Sequence, residues 1–158
     1  MRCHHLTAPL WLGLCLLALC GCAAPPAGTA SSAQAPALEA GMTRVWILRQ
    51  ANPPGGNIDA SDPMVFANGA PIAQSKEGTA FFRDFPPGTY RFTVQPYGTP
   101  TGQGDTFQLV PGTQTYLQVQ AVPNWQLGSP GGGSFTLLAM SPQMATQYLP
   151  TMTYLGPR

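Results

Sequence analysis

The most chemically versatile side chains, the cysteines and histidines, all lie at the beginning of the chain. Cys20 and Cys22 are one residue apart, His4 is followed by His5, and all four cysteines and both histidines lie within the first 22 residues. Thiolates and imidazoles are common ligands of transition metals and common nucleophiles and bases in acyl transfer. The chemistry open to this protein therefore depends on whether that segment belongs to the mature domain.

The composition of these first residues is typical of a secretory signal. Arg2 is the only formal charge before Glu39, and residues 10–19 form an apolar run of ten. Crossing a bilayer takes about 20 apolar residues, whereas a positive start, a short apolar stretch and small residues after it direct secretion. The alternative, a buried helix of the domain, is disfavoured because sequence rich in Ala, Pro and Gly follows at once.

The letters LCGC (residues 19–22) indicate where the signal is cut. Cleavage before Cys22 places the small Gly21 at the cut, whereas cleavage before Cys20 would place the bulky Leu19 there. This stretch resembles the lipobox of bacterial lipoproteins, whose cysteine is diacylated and becomes the new N-terminus. The resemblance implies that residues 1–21 are a cleaved signal peptide and that Cys22 carries the lipid.

Such a cut removes most of the reactive side chains. Both histidines and three cysteines leave with the signal peptide, and the remaining Cys22 is acylated. Triads of the Ser-His or Cys-His kind and transition-metal sites are then excluded, and no cofactor is expected. The resemblance also implies a cellular location. Lipoproteins that stay in the inner membrane carry Asp at the position of Ala23. Ala23 therefore favours an outer-membrane anchor with the domain facing the periplasm.

Carboxylates are the groups left for catalysis. Asp59 and Asp62 lie in a loop rich in Pro and Gly, where turn formation is their ordinary role, and the loop lacks the series of oxygen ligands that calcium needs. Asp84 lies with Arg83 and Arg91 around the turn at Pro87-Gly88, where a surface ion pair is expected and ligand recognition is the alternative. Charged residues make up only 8% of the chain and the formal net charge is +1, so a nucleic-acid partner is not expected.

The composition also predicts the organisation of the chain. Gly and Pro contribute 18 residues each, yet 44% of the residues are hydrophobic, which favours short strands joined by many turns. Residues 22–42 are small, Pro-rich and almost uncharged, and are predicted to be a flexible tether. Residues 43–158 are predicted to form a mainly β, antiparallel β-sandwich of about seven to eight strands with a short C-terminal helix. The predicted strands are 44–48, the two arms of 64–74, 79–85, 89–95, 105–110, 115–122 and 134–140, and the helix follows Ser141-Pro142.

Three dipeptides are predicted to form the structural turns. Asn68-Gly69 lies between two apolar arms and is the strongest hairpin signal in the chain. Pro87-Gly88 and Pro111-Gly112 each precede a strand, and proline followed by glycine suits a type II turn.

Two aromatic residues in loops are candidates for binding. Tyr97 follows Pro96, and Trp125 lies two residues after Pro123. Such rings either cap the ends of a core or stack on a glycan or anchor a partner protein.

The turn motifs resemble the DUF2846-type domain-of-unknown-function family of small bacterial lipoproteins. These motifs are the Asn68-Gly69 hairpin, the Pro87-Gly88 turn and the entry from Gly112 to Tyr116, within about residues 43–150. The resemblance implies a β-sandwich related to carbohydrate-binding and surface-layer-like modules, and it brings no catalytic residue.

These observations lead to one hypothesis and two alternatives. We expect a lipid-anchored envelope protein whose non-catalytic sandwich binds an envelope protein or a cell-wall glycan. The alternatives are an enzyme that uses Asp59, Asp62 and Asp84, or a purely structural lipoprotein.

Overall fold

The computed structural model describes residues 35–52, 61–95, 104–123 and 133–158. Within these ranges the chain forms nine strands, one α-helix and a 3₁₀ turn at Leu149–Thr151. The elements are β1 (Thr43–Arg49), β2 (Met64–Ala67), β3 (Ala70–Gln74), β4 (Thr79–Phe85), β5 (Gly88–Val94), β6 (Gly104–Leu109), β7 (Gln114–Pro123), β8 (Gly133–Met140), α1 (Pro142–Tyr148) and β9 (Thr153–Pro157).

The strands form two sheets, which confirms the predicted β-sandwich. The first sheet has five strands in the order β8-β7-β1-β4-β9, and the second has four in the order β3-β2-β5-β6. The second sheet is antiparallel throughout. The first sheet is mixed instead of antiparallel, because β1 pairs in parallel with β7 and β4 pairs in parallel with β9.

Strand β1 is the centre of the fold, and all seven of its residues are buried. Its side chains alternate between two cores, as the pleat of a strand requires. Val45 and Ile47 face the second sheet and join the core of the sandwich. Trp46 and Leu48 face the other way, into a second core beneath α1. The first sheet therefore needs a cover on both faces.

Helix α1 and the 3₁₀ turn supply that outer cover. Ser141 is the N-cap of α1, and its hydroxyl accepts a hydrogen bond from the backbone N–H of Met144. The buried residues Ala145, Leu149 and Met152 pack into the core around Trp46. The chain then adds β9, a strand that the sequence analysis missed because its five residues include Gly and Pro.

The Asn68-Gly69 turn joins β2 and β3 as a tight hairpin. Asn68 has φ 49° and Gly69 has φ 80°, the two positive values of a type I′ turn. The Asn68 side-chain oxygen also accepts a hydrogen bond from the backbone N–H of Arg91 at 2.8 Å, which fastens the turn to β5.

The two Pro-Gly turns have another role: each carries the chain from one sheet to the other. Pro87-Gly88 links β4 to β5, and Pro111-Gly112 links β6 to β7. Gly112 has φ 75°, and the N–H of Thr113 donates to the carbonyl of Val110 at 3.2 Å, as in a type II turn. Gly88 has φ 150° and already belongs to β5, so it departs from that turn type.

The sandwich has two distinct ends, named here after the first and last arginines of β1. At the Arg44 end, β1, β5 and β7 begin and β4, β6 and β8 finish. At the Arg49 end, β1, β5 and β7 finish and β2, β4, β6, β8 and β9 begin. Residues 35–42 lead the chain into the Arg44 end.

An aromatic cluster fills the outer core near β9. The ring centroids of Trp46 and Phe82 are 5.1 Å apart, and the ring of Tyr154 stacks on Phe82 at 5.8 Å. The Tyr154 hydroxyl is buried without a hydrogen-bond partner among the described residues. Burial raises the pKa of Tyr154, a shift that the charge of Arg44 reduces and the charge of Asp84 reinforces.

We expect Tyr154→Phe to leave stability at neutral pH unchanged or to raise it by up to about 1 kcal/mol, because it removes an unpaired buried hydroxyl. The raised pKa means that the unfolded chain loses the phenolic proton first, so wild-type stability falls as pH rises above about 10. The variant should lose less stability there, as urea unfolding at pH 7 and pH 10.5 would measure. Clear destabilisation at pH 7 would instead reveal a buried partner of the hydroxyl.

Candidate functional site

The Arg44 end is closed by a buried ion pair. Two guanidinium nitrogens of Arg44, Nε and Nη2, donate to the two carboxylate oxygens of Asp84, each at 2.8 Å. Nη1 donates to the carbonyl of Pro36 at 2.6 Å, and the guanidinium lies 3.8 Å from the ring centroid of Phe82. Because both Asp84 oxygens are occupied by this arginine, the carboxylate acts as its counterion, which is a structural role.

The Arg49 end contains a second buried arginine, on the opposite face of β1. Arg49 Nη1 donates to the carbonyls of Ser61 and Ser75, at 2.6 and 2.9 Å. Nη2 donates to Glu77 at 3.2 Å, and Asp62 lies 4.0 Å from Nη1. This network ties the end of β1 to the segments that precede β2 and β4.

Glu77 also fixes the residues that follow β1. The side-chain amide of Asn52 donates to the same Glu77 oxygen that binds Arg49. Glu77 belongs to the turn between β3 and β4, and β4 lies on the side of β1 opposite to β7. Residues 50–52 are therefore held towards β4 and away from β7.

This departure opens a cleft between the end of β1 and the second half of β7. Its volume is about 180 Å³. Four of its eight described lining residues carry a side-chain amide, and Arg49 is among the other four. The lining residues are Arg49, Gln50, Ala51, Asn52, Gln118, Val119, Gln120 and Ala121.

The structure separates the carboxylates that the enzyme hypothesis would use. Asp62 lies beside Arg49, whereas Asp84 is bound to Arg44, so the two sit at opposite ends of β1, roughly 16 Å apart along the strand. Asp59 lies outside the described residues. Among the described residues, no group of three His, Cys, Asp or Glu side chains is placed to hold a metal ion.

The other predicted site residues also fall outside the described part of the chain. These are Cys22, Tyr97 and Trp125. The structure does show the strands that flank the undescribed stretches. Residues 53–60, 96–103 and 124–132 each connect a strand that finishes at the Arg49 end to one that begins there. No helix in the described ranges is long and apolar enough to span a membrane.

The amides of the cleft are functional candidates that the sequence analysis missed. Gln118 and Gln120 occur two residues apart on β7 and alternate with Leu117 and Val119, which face the sandwich core. That alternation placed both glutamines on one face of a strand. These glutamines line a cleft because the chain after β1 diverges from β7, where Asn52 binds Glu77. That contact is distant in sequence and could not be predicted from β7 alone.

Comparisons with known proteins add no relative. Neither the family models, nor the curated proteins, nor the solved structures contain a match to this chain. The resemblance to the DUF2846-type family therefore remains a prediction.

The Arg44 ion pair gives a test of the structural role of Asp84. Asp84→Asn leaves a guanidinium with 4% side-chain exposure without its counterion, so we expect a loss of about 3 kcal/mol in unfolding free energy. Asp105→Asn, at an exposed acidic position on β6, is the matched control and should change stability by under about 0.5 kcal/mol. Equal effects in chemical denaturation would show that the ion pair is dispensable.

The Glu77 contacts give a test of what holds the cleft open. Glu77→Gln weakens the bonds to Arg49 and Asn52, so we expect a loss of about 1–2 kcal/mol and faster amide exchange in residues 50–52. Glu39→Gln, at an exposed position of the Arg44 end, should leave that exchange unchanged. Unaltered exchange in the Glu77 variant would mean that other contacts position these residues.

Proposed function

We propose that this chain is a lipid-anchored protein of the bacterial outer membrane whose sandwich is a non-catalytic binding module. In this proposal Cys22 carries the acyl chains, and the Arg49 end presents the cleft to an envelope protein or glycan in the periplasm. The observation that supports it most directly is the position of the cleft relative to the point where the chain enters the sandwich. The chain enters the sandwich at the Arg44 end, whereas the cleft opens at the Arg49 end.

The contacts of residues 35–42 support this arrangement. Ala35 packs beside the outer core, Pro36 accepts a hydrogen bond from Arg44, and the carbonyl of Met42 accepts one from Gly112. The stretch between Cys22 and Ala35 can span at most about 45 Å when fully extended. Such a reach lets the domain stand clear of the lipid surface with its cleft directed away from it.

The charges of the sandwich support binding over catalysis. Asp84 binds Arg44 with both carboxylate oxygens, Glu77 binds Arg49 with one, and half of the described residues that line the cleft are neutral amides. Amides donate and accept hydrogen bonds without titrating, which suits recognition of polar, uncharged groups. Once residues 1–21 are removed, the mature sequence contains neither a histidine nor a free thiol, so triads of the Ser-His and Cys-His kinds are not available to it.

The lipid anchor is tested by substituting Cys22, with the same substitution at Cys20 as the matched control. Cys22→Ala should abolish incorporation of labelled palmitate and release the protein from membranes, because the acyl chains supply the membrane affinity. Cys20→Ala should remain acylated, since in this proposal Cys20 leaves with the signal peptide. Mass analysis of the mature N-terminus reads the result, and a chain that begins at Cys20 would contradict the proposal.

The binding function is tested by placing a photo-crosslinking amino acid at Gln120, in the cleft, or at Val110, which is 51% exposed at the Arg44 end. In intact envelopes we expect a discrete adduct from position 120, or retention of the protein on purified peptidoglycan that substitution of Gln120 weakens. Position 110 should give neither. Absence of any adduct and of peptidoglycan retention would favour the purely structural lipoprotein.

A further inference from the structure

The first sheet contains an interrupted hydrogen-bond ladder. The parallel pairing of β1 with β7 ends at Leu48 and Gln118, whereas the antiparallel pairing of β7 with β8 continues to Pro123 and Gly133. Beyond Gln118, β7 therefore pairs on one side only, as far as the described ranges of the chain show. Strand β7 borders the cleft at Gln118–Ala121, so the side without a strand faces the cleft.

A strand that lacks a neighbour inside a sheet is an attachment point for another extended chain. Each free edge presents N–H and C=O groups that a partner backbone satisfies by strand addition. The edge is recessed between β7 and residues 50–52, which distinguishes it from the outer edges of the sandwich. The bonds from Glu77 to Arg49 and Asn52 keep residues 50–52 aside, so the space is formed before any ligand arrives.

The chemistry of the lining is suited to a peptide backbone. Gln50, Gln118 and Gln120 offer both donors and acceptors, as a peptide group does. Arg49 is the charged residue among the described residues of the lining, and Glu77 neutralises it at 3.2 Å, whereas Asp62 lies farther away at 4.0 Å and is exposed to solvent. The lining itself therefore offers no uncompensated charge to a ligand. The volume of about 180 Å³ is below the usual size of a small-molecule pocket, which is about 300 Å³ or more, and suits a short main-chain segment.

We infer that this cleft binds an extended, uncharged peptide segment of a partner protein, which adds to β7 in the place that β1 vacates. The bound stretch covers residues 119–121 of β7 and is therefore about three to four residues long. This inference rests on the proposed binding function and chooses protein over glycan as the ligand. A glycan is disfavoured because none of the described residues that line the cleft carries an aromatic ring on which a sugar could stack.

The test begins with a library of random linear heptapeptides, displayed on phage and selected on the full mature protein. A selected peptide is then synthesised with N-methyl groups at one or the other set of alternate residues. Strand addition uses the backbone N–H groups of one set only, so one N-methylated peptide should bind at least about tenfold more weakly and the other should bind like the parent. Bound peptide should also slow amide exchange in residues 119–121.

A double variant links the binding to the cleft. Gln118→Ala together with Gln120→Ala should weaken peptide binding several-fold, whereas Gln108→Ala, at an exposed glutamine of the second sheet, should leave it unchanged. Peptides that bind with equal affinity to all three proteins, or that tolerate both N-methyl patterns, would overturn the inference while leaving the binding function intact. A glycan strand whose retention is lost in the double variant would also overturn it. Failure of peptides, glycans and crosslinking alike would contradict the proposed function itself.

Discussion

The fold depends on the burial of a strand that begins and ends near an arginine. Moving a guanidinium out of water costs several kcal/mol unless its hydrogen-bonding groups are satisfied. Arg44 and Arg49 meet this requirement on opposite faces of β1, each with a carboxylate and at least one backbone carbonyl. Each arginine thereby recruits chain segments that are distant in sequence, and these contacts define the two ends of the sandwich.

This arrangement explains how a chain with so few charges uses them. Only 8% of the residues are charged, and two of the seven basic side chains are buried at the ends of one strand. Their counterions Asp84 and Glu77 are drawn into the same contacts, although sequence alone suggests ordinary surface positions for acidic residues. Because these charges pair with one another, side-chain amides are the main uncharged polar groups among the described residues that line the cleft.

The sequence predicted those parts of the structure that short-range chemistry determines. The Asn68-Gly69 hairpin follows from two residues that tolerate positive φ, and the start of α1 follows from the Ser141 cap with Pro142 behind it. The strand positions agree because alternating side chains specify a strand without reference to its neighbours.

The features that it did not predict depend on distant partners. The parallel pairing of β1 with β7 joins residues about 70 positions apart, and β9 exists as a strand because β4 offers it an edge. The Pro-Gly dipeptides predicted turns before strands, but they could not show that each turn leads into the other sheet, because their sequence specifies only a change of direction. The cleft is the extreme case, since it lies where the chain after β1 diverges from β7, and Glu77, which is distant in sequence, binds Asn52 there.

The size of the strand edge also determines how tightly the proposed peptide ligand would bind. Three to four backbone hydrogen bonds contribute about 4 kcal/mol in total, which alone corresponds to a Kd near 1 mM. Because residues 50–52 are already held aside, little of that energy is spent on rearranging the protein. Confinement of the domain and its partner to one membrane surface would raise their effective concentration to about the same millimolar range. A weak, preformed site would therefore be sufficient for an anchored protein, whereas a domain free in solution with the same cleft would need additional side-chain contacts to bind more tightly than about 1 mM.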